Sequence, residues 1–170
     1  MTSSPNRPST GTPGSNTITA RFRKDHHELE EHFQVAREAL AQGVAPEAFT
    51  ALDRIWIRMA VHIRAEHKGL FPILGSARPD LLGDLGMLRA DHTFFMVALA
   101  STVRAMRGPA PDFPAANAAL DAVERRLIPH DRLEEQGIYF MADQIPLDQR
   151  RRILEIVARE LACLPERYEP

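Results

Sequence analysis

The sequence is poor in cysteine: its 170 residues include only Cys163, so no disulfide can form within the chain. A single thiol also argues against a thiolate metal site and is compatible with a reducing compartment. No apolar run approaches the roughly 20 residues that a membrane-spanning helix needs. The N-terminus lacks the apolar segment of a secretory signal. We therefore expect a cytoplasmic protein with no membrane partner.

The sequence also lacks an excess of either charge. Its 21 lysines and arginines nearly balance 23 aspartates and glutamates, which gives a formal net charge of −2. A general nucleic-acid binder needs a basic excess to contact phosphates, so we expect no nucleic-acid partner. The length suits one domain with a substantial core.

The chain divides into three regions by composition. Residues 1–16 are almost entirely Ser, Thr, Pro, Gly and Asn, a composition that predicts a disordered tail. Over residues 17–142, four stretches with helical periodicity are joined by short turns, and no strand pattern competes with them. These features predict an all-α fold, an antiparallel up-down-up-down four-helix bundle. Pro146 opens a fifth stretch, so residues 143–170 are predicted to form an additional C-terminal helix and a tail.

Apolar side chains recur at steps of three and four residues in each stretch, the pattern of an amphipathic helix. In the second stretch the apolar face is predicted to run through Leu70 and Ile73, with Pro72 marking the exit from the helix. In the fourth it is predicted to run through Ile138 and Met141.

One ten-residue pattern occurs twice in the chain. Residues 62–71 read HIRAEHKGLF and residues 130–139 read HDRLEEQGIY, so His, Arg, Glu and Gly coincide. On a helix, His and Glu four residues apart lie on one face. An Asp-His pair precedes each copy, at residues 25–26 and 91–92. Each half of the chain therefore contains a histidine followed by a His-x-x-x-Glu pair.

Six of these polar side chains fall where the periodicity calls for core residues. A buried carboxylate costs several kcal/mol or more unless it is paired or bound to a metal. Counting from the turns, at ~1.5 Å per residue, places the two histidines of each hairpin at one depth. The predicted metal ligands are His26, His62, Glu66, His92, His130 and Glu134.

Such a donor set of imidazoles and carboxylates suits iron, zinc, copper or manganese. Four imidazoles can complete one site, but six ligands with two carboxylates able to bridge fit a pair of metals better. Asp25 and Asp91 either accept hydrogen bonds from these imidazoles or remain solvated charges.

The order of these motifs over residues 17–142 resembles the hemerythrin-like (HHE cation-binding) domain family. The resemblance implies a non-haem di-iron centre, with two iron ions joined by a bridging oxo or hydroxo group. Open positions on the irons would take O2, peroxide or nitric oxide. By this resemblance the ligands would be His26 and His62 for one iron, His92 and His130 for the other, and Glu66 and Glu134 as bridges.

The sequence departs from the oxygen-carrying hemerythrins at two positions. Met96 stands where they have a second histidine on the third helix. Glu134 lies four residues after its histidine, where they have an aspartate five residues after. We therefore expect a nearly symmetric centre that reacts with small oxidants, rather than a simple oxygen carrier.

The remaining histidines, His27, His32 and His67, are interpreted as surface or flanking residues, because their counterparts in the second half include no histidine. Tyr139 is open to two interpretations, a redox partner or a core residue, and core packing is the simpler one.

Three classes of function fit this pattern. The first is a di-iron oxidoreductase of peroxidase-like, catalase-like or nitric-oxide-handling type, acting on a small diatomic or peroxide ligand in oxidative stress. The second is an iron-sensing or oxygen-sensing or binding module without turnover. The third is a structural helical bundle. The sequence leaves enzyme and sensor unresolved, and a homodimer is one option for the assembly.

Overall fold

The computed structural model describes residues 17–163, and the tail predicted at residues 1–16 lies outside the described residues. Within the described part the chain is helical without a strand, which confirms the all-α prediction of a bundle with an additional C-terminal helix. None of the described helices is long and apolar enough to cross a membrane.

The first half of the chain forms a helical hairpin. Helix α1 spans Ile18–Gln42, and Gly43 ends it with a φ of 72°, in the left-handed region that glycine enters freely. Helix α2 begins as Ala45–Ala65, widens into a π-helical turn at Glu66–Leu70, and continues as the α-helical segment Phe71–Ala77.

The second half repeats this arrangement. After a 3₁₀ turn at Pro79–Leu81, helix α3 spans Leu82–Ala105. Helix α4 begins as Phe113–Leu133, widens into a π-helical turn at Glu134–Ile138, and ends as Tyr139–Ala142. The two π turns therefore occupy the same place in the two copies of the repeat.

The prediction that the second helix ends at Pro72 is wrong. In the π turn the Phe71 N–H donates to the carbonyl of Glu66, five residues back. A new α-helical segment then starts at Phe71, and Pro72 falls in its first turn, where the missing proline N–H costs little.

The π turns also move the apolar face by one residue. Leu74 is fully buried in place of the predicted Ile73, and Ala142 is fully buried in place of the predicted Met141. A π turn holds one residue more than an α turn, so in both helices the buried position shifts by one residue toward the C-terminus.

Helix α5 spans Leu147–Ala162 and packs against α2 and its π turn. Its Glu160 pairs with Arg64 at 2.9 Å and with Lys68 at 3.4 Å. The backbones approach closely at Gly69, where an added Cβ would lie 2.9 Å from Cγ2 of Val157.

Two apolar clusters fill the interior of the bundle. One contains Leu29, Met59 and Phe95, and the other contains Phe22 and Leu88. Each predicted ligand histidine lies in sequence between members of the two clusters, so the polar side chains form a layer between them. Within the bundle α2 packs closely on α3, whereas α1 and α4 are joined by side-chain pairs such as Arg23 with Glu135 and Arg37 with Glu124.

Candidate metal centre

The six side chains predicted to bind metal converge in the layer between the two apolar clusters. Five of them are no more than 3% exposed. The sixth, the side chain of His26, is 10% exposed. The five are His62, Glu66, His92, His130 and Glu134.

Two groups of side chains are spaced closely enough to hold an ion. His26, His62 and Glu134 form one group, and His92, His130 and Glu134 form the other; within each group the potential ligand atoms lie within 4.8 Å of one another. Glu134 belongs to both groups. Each group contains the two histidines of one half of the chain.

Glu66 also lies between the two halves. Its Oε2 is 3.5 Å from Nε2 of His62 and 3.2 Å from Nε2 of His92. Glu134 reaches the other two histidines through separate oxygens, at 3.3 and 3.1 Å. Each carboxylate therefore contacts imidazoles from both halves, the arrangement expected of a bridging ligand.

Two carboxylate oxygens at the centre of this layer have no hydrogen-bond donor among the described residues, Oε2 of Glu66 and Oε1 of Glu134. Leaving a charged oxygen buried and unsatisfied is costly, so such an atom calls for an explanation. A cation between the imidazoles would satisfy both oxygens at once. The residues present therefore fit a metal.

The imidazoles of the first hairpin are oriented by carboxylates behind them. Nδ1 of His62 lies 2.7 Å from Oδ2 of Asp25, and Nδ1 of His26 lies 3.0 Å from Oε1 of Glu135. Asp25 is fixed in turn by Arg58 at 3.0 Å. Burial alone would raise the pKa of Asp25, but the hydrogen bond from His62 and the charges of His62 and Arg58 outweigh it and lower that pKa. With Nδ1 held outward, Nε2 of each ring faces the pocket.

The second hairpin is oriented in the same way, with one different partner. Nδ1 of His130 lies 3.2 Å from Oδ2 of Asp91, which Arg126 holds at 2.6 Å. Nδ1 of His92 lies 2.9 Å from Nε2 of His67. Burial, the charge of His92 and a nearby arginine lower the pKa of His67 to about 4, so His67 is neutral and its Nε2 can accept a hydrogen bond from Nδ1 of His92.

Among the residues set aside in the sequence, His67 therefore contacts a predicted ligand, although it belongs to neither group that could hold an ion. His27 is a surface residue as expected, with its side chain 71% exposed. Met96 is half-buried, packs against the apolar cluster of Leu29, and lies in neither group.

Tyr139 is fully buried at the centre of the site. Its hydroxyl oxygen lies 2.8 Å from Oε1 of Glu66, 2.9 Å from Oε2 of Glu134 and 3.1 Å from Nε2 of His26. Burial and the charges of the two glutamates raise the pKa of Tyr139 well above its ordinary value. The hydroxyl therefore stays protonated and donates its hydrogen bond to the carboxylates.

The π turn in α4 determines where the ring of Tyr139 lies. The Tyr139 N–H donates to the carbonyl of Glu134, so residues five apart stand on one face of the helix. Phe71 has the same relation to Glu66 and stacks on His92, with ring centroids 5.7 Å apart and planes 6° apart. The repeat itself is the sequence signal for both rings, since HIRAEHKGLF and HDRLEEQGIY end on them.

The glutamates of the site favour positive charge on the neighbouring imidazoles. Burial opposes charging of His26, but its hydrogen bond to Glu134 and the charges of Glu134 and Asp131 raise its pKa to about 10. Burial likewise opposes charging of His92, but Glu134 and Glu66 raise its pKa to about 9. The two buried carboxylates therefore favour positive charge beside them, which a bound cation would supply.

Comparison with known proteins identifies the family. The model described as the hemerythrin HHE cation binding domain matches residues 17–142, more than half of the chain. No curated protein and no solved structure gives a match. The match confirms the resemblance that the ordered histidines and glutamates predicted. The chain therefore belongs to the hemerythrin HHE cation-binding domain family.

Proposed function

We propose that this protein is a non-haem di-iron protein that binds or reacts with a small oxidant, namely O2, a peroxide or nitric oxide. One observation carries the proposal: two buried carboxylates each join imidazoles from both halves of the chain, and each retains an oxygen without a donor. Four imidazole nitrogens and two carboxylates suit iron, and the lone cysteine lies at the surface.

The grouping of the side chains supports one assignment of ligands to the two irons. When bound, the two ions would supply one-electron exchange at each metal and open positions for a small oxidant. One iron would be held by His26 and His62 and the other by His92 and His130, with Glu66 and Glu134 shared between them.

The residues behind the ligands prepare the imidazoles for this task. A metal binds the unprotonated nitrogen, so the proton of each ring must sit on Nδ1. The partners of the four Nδ1 atoms hold a proton there and keep the rings in place, so that Nε2 is the nitrogen left for the metal. They are Asp25, Glu135, Asp91 and His67.

Tyr139 keeps a proton beside the oxidant's position. Its hydroxyl lies within hydrogen-bond distance of both shared carboxylates. Phe22 stacks on the Tyr139 ring at 4.7 Å, and Phe71 covers His92 on the opposite side. These two rings exclude water from one end of the layer, so the hydroxyl is the proton donor nearest to the carboxylates there.

Metal content tests the proposal directly. Protein purified from iron-supplied cells should hold about two irons per chain and show the absorption of a ferric pair. Glu66→Gln and Glu134→Gln should each lose most of the iron, because the amide carries no charge for a bridging position. Glu31→Gln is the matched control, since His27 and Glu31 form a His-x-x-x-Glu pair on the surface, 3.5 Å apart. Iron content equal in all three variants would refute the proposed centre.

Turnover separates an enzyme from a sensor. The reduced, iron-loaded protein is mixed with hydrogen peroxide or nitric oxide in the presence of a reductant, and consumption is followed over time. Consumption of many equivalents per chain supports an enzyme. Reaction that stops after one equivalent supports a sensing or binding module.

A further inference from the structure

A cavity of about 490 Å³ opens between α1 and α4 and reaches the candidate metal centre. Three of the proposed ligands, His26, His62 and His130, form its floor. It lies on the side of the bundle where side chains of α1 and α4 face each other. The cavity therefore gives a molecule from solvent access to both imidazoles of one pair and to His130 of the other.

Part of the wall of this cavity is apolar. Leu29, Phe33 and Met59 line it and are almost fully buried, and Leu127 lines it from α4. Contact with these side chains favours a hydrocarbon body, because it removes apolar surface from water.

The acidic side chains in the wall and at the rim disfavour an anion in the outer part of the cavity. Asp131 lies in the wall. Glu30 and Glu124 lie at the rim. The arginine of the cavity, Arg23, is paired with Glu135 at 3.1 Å and is not free to hold a second carboxylate. A neutral ligand fits this charge distribution better than a fatty-acid anion does.

The volume also exceeds what the smallest oxidants require. A water molecule occupies about 30 Å³ in the liquid, and hydrogen peroxide or a diatomic gas is of similar size. Cavities of roughly 300–1,000 Å³ are the usual size for small organic ligands. The volume, the apolar walls and the position over the imidazoles together point to an organic molecule with a small reactive group.

We propose that the α1–α4 cavity binds a neutral organic hydroperoxide, with its hydrocarbon body against the apolar walls and its –OOH group at the imidazole floor. This inference rests on the proposed di-iron function. The reaction is ROOH + 2 H⁺ + 2 e⁻ → ROH + H₂O. The O–O bond breaks, two O–H bonds form, the two electrons come one from each of two ferrous ions, and both protons come from solvent.

The other half of the chain supplies a substitution that tests the cavity. Leu29 lies three residues after His26, and the equivalent residue three after His92 is Phe95. Phe95 is fully buried and packs edge-on against His130, with ring centroids 4.9 Å apart. Leu29→Phe therefore places in the cavity wall a side chain that this fold already accommodates at the matching position.

Binding is measured first, with the unreactive alcohol product as the probe. Cumyl alcohol is titrated calorimetrically into purified full-length protein whose iron content has been determined. We expect saturable binding to the parent protein and a loss of about tenfold or more in affinity in Leu29→Phe. Val35→Phe is the control, because Val35 lies on the same helix but is 54% exposed and outside the cavity. Leu127→Phe narrows the cavity from α4 and should act like Leu29→Phe.

Reaction is measured next, by mixing the reduced protein with cumene hydroperoxide or hydrogen peroxide in single turnover. We expect Leu29→Phe to lower the rate ratio of cumene hydroperoxide to hydrogen peroxide by about tenfold, since only the larger oxidant needs the filled volume. Iron-loaded protein that fails to bind cumyl alcohol, or a ratio unchanged in both cavity variants, would overturn the inference. Absence of iron from the purified protein would instead refute the proposed function.

Discussion

His67 and Glu135 occupy the same position in the two repeats, and each holds the outer ring nitrogen of a histidine from the other hairpin. Nε2 of His67 lies 2.9 Å from Nδ1 of His92, and Oε1 of Glu135 lies 3.0 Å from Nδ1 of His26. An ionised carboxylate is the stronger hydrogen-bond acceptor and makes the imidazole a better electron donor. The two halves of the centre therefore differ in ligand strength although their ligands are alike.

This difference predicts unequal effects on metal affinity. Glu135→Ala should weaken iron(II) binding by about 10-fold to 100-fold at the half containing His26. His67→Ala should weaken it less at the half containing His92, because a neutral acceptor is lost. Competition with a chelator measures both affinities, and His27→Ala is the exposed control. Equal losses in the two variants would contradict the assigned difference in strength.

Tyr139→Phe should lower the free energy of unfolding of the metal-free protein more than that of the iron-bound protein. The substitution copies the residue that stands at the equivalent position, Phe71, and removes the donor that serves Glu66 and Glu134. An unsatisfied buried acceptor costs about 1–3 kcal/mol, and a bound metal would take over both carboxylates. Urea unfolding of the protein with and without iron measures the two differences. An equal loss of stability with and without iron would show that the hydroxyl and a bound metal do not satisfy the same carboxylates.

Gly69→Ala should destabilise the fold, whereas Gly137→Ala should not. A Cβ at Gly69 would lie 2.9 Å from Val157 and 3.3 Å from Ile156, both on α5. Overpacking of this kind costs about 1–3 kcal/mol. The nearest atom to a Cβ at Gly137 is 3.8 Å away, an ordinary contact. Thermal unfolding of the two variants compares the same substitution at equivalent positions, and a loss at Gly137 as large as that at Gly69 would contradict the close approach of α5.

The contact between α5 and α2 predicts a pH-dependent term in stability. Burial opposes ionisation of Glu160, but the hydrogen bond from Lys68 and the charges of Lys68, Arg64 and Arg159 lower its pKa. A carboxyl whose pKa is lower in the folded state stabilises the fold fully above its unfolded pKa, about 4.3. That stability is lost as the pH falls through the lower folded value.

Glu160→Gln should therefore be less stable than the parent protein at pH 7, and the difference should disappear as the pH falls below about 4. Urea unfolding at a series of pH values measures it. Glu155→Gln, at an exposed position on the same helix, is the control. A difference that stays constant from pH 7 to pH 3 would mean that Glu160 contributes through packing instead of charge.

Most of the fold could be predicted because the helices follow from the spacing of the apolar residues. The six proposed ligands could be selected because they belong to a motif that occurs in both halves of the chain. Each ligand is a polar residue at a core position, and the duplication presents each of them twice. The role of Asp25 remained open in the sequence, because a residue next to a ligand histidine can point inward or outward. The structure places its carboxylate 2.7 Å from His62.

The π turns could not be predicted in this way. A π turn is a backbone feature without a characteristic side chain, and an α-helical period carried through it misplaces every later residue by one. The α-helical period assigns Ile73 and Met141 to the core for this reason. An unbroken α-helix would also place Tyr139 away from the face of Glu134, so the period gives no sign of its contact with that carboxylate.

Each π turn has a consequence for how the sequence can vary. A regular α-helix over the same residues would turn Tyr139 about 100° further around the helix axis, away from Glu134. Deleting one residue between them would restore the α-helix and set the two residues four apart, so the tyrosine would stay on the face of the glutamate. The contact therefore depends on the match between a five-residue spacing and a π turn, and a change in either one alone would separate the hydroxyl from the carboxylate.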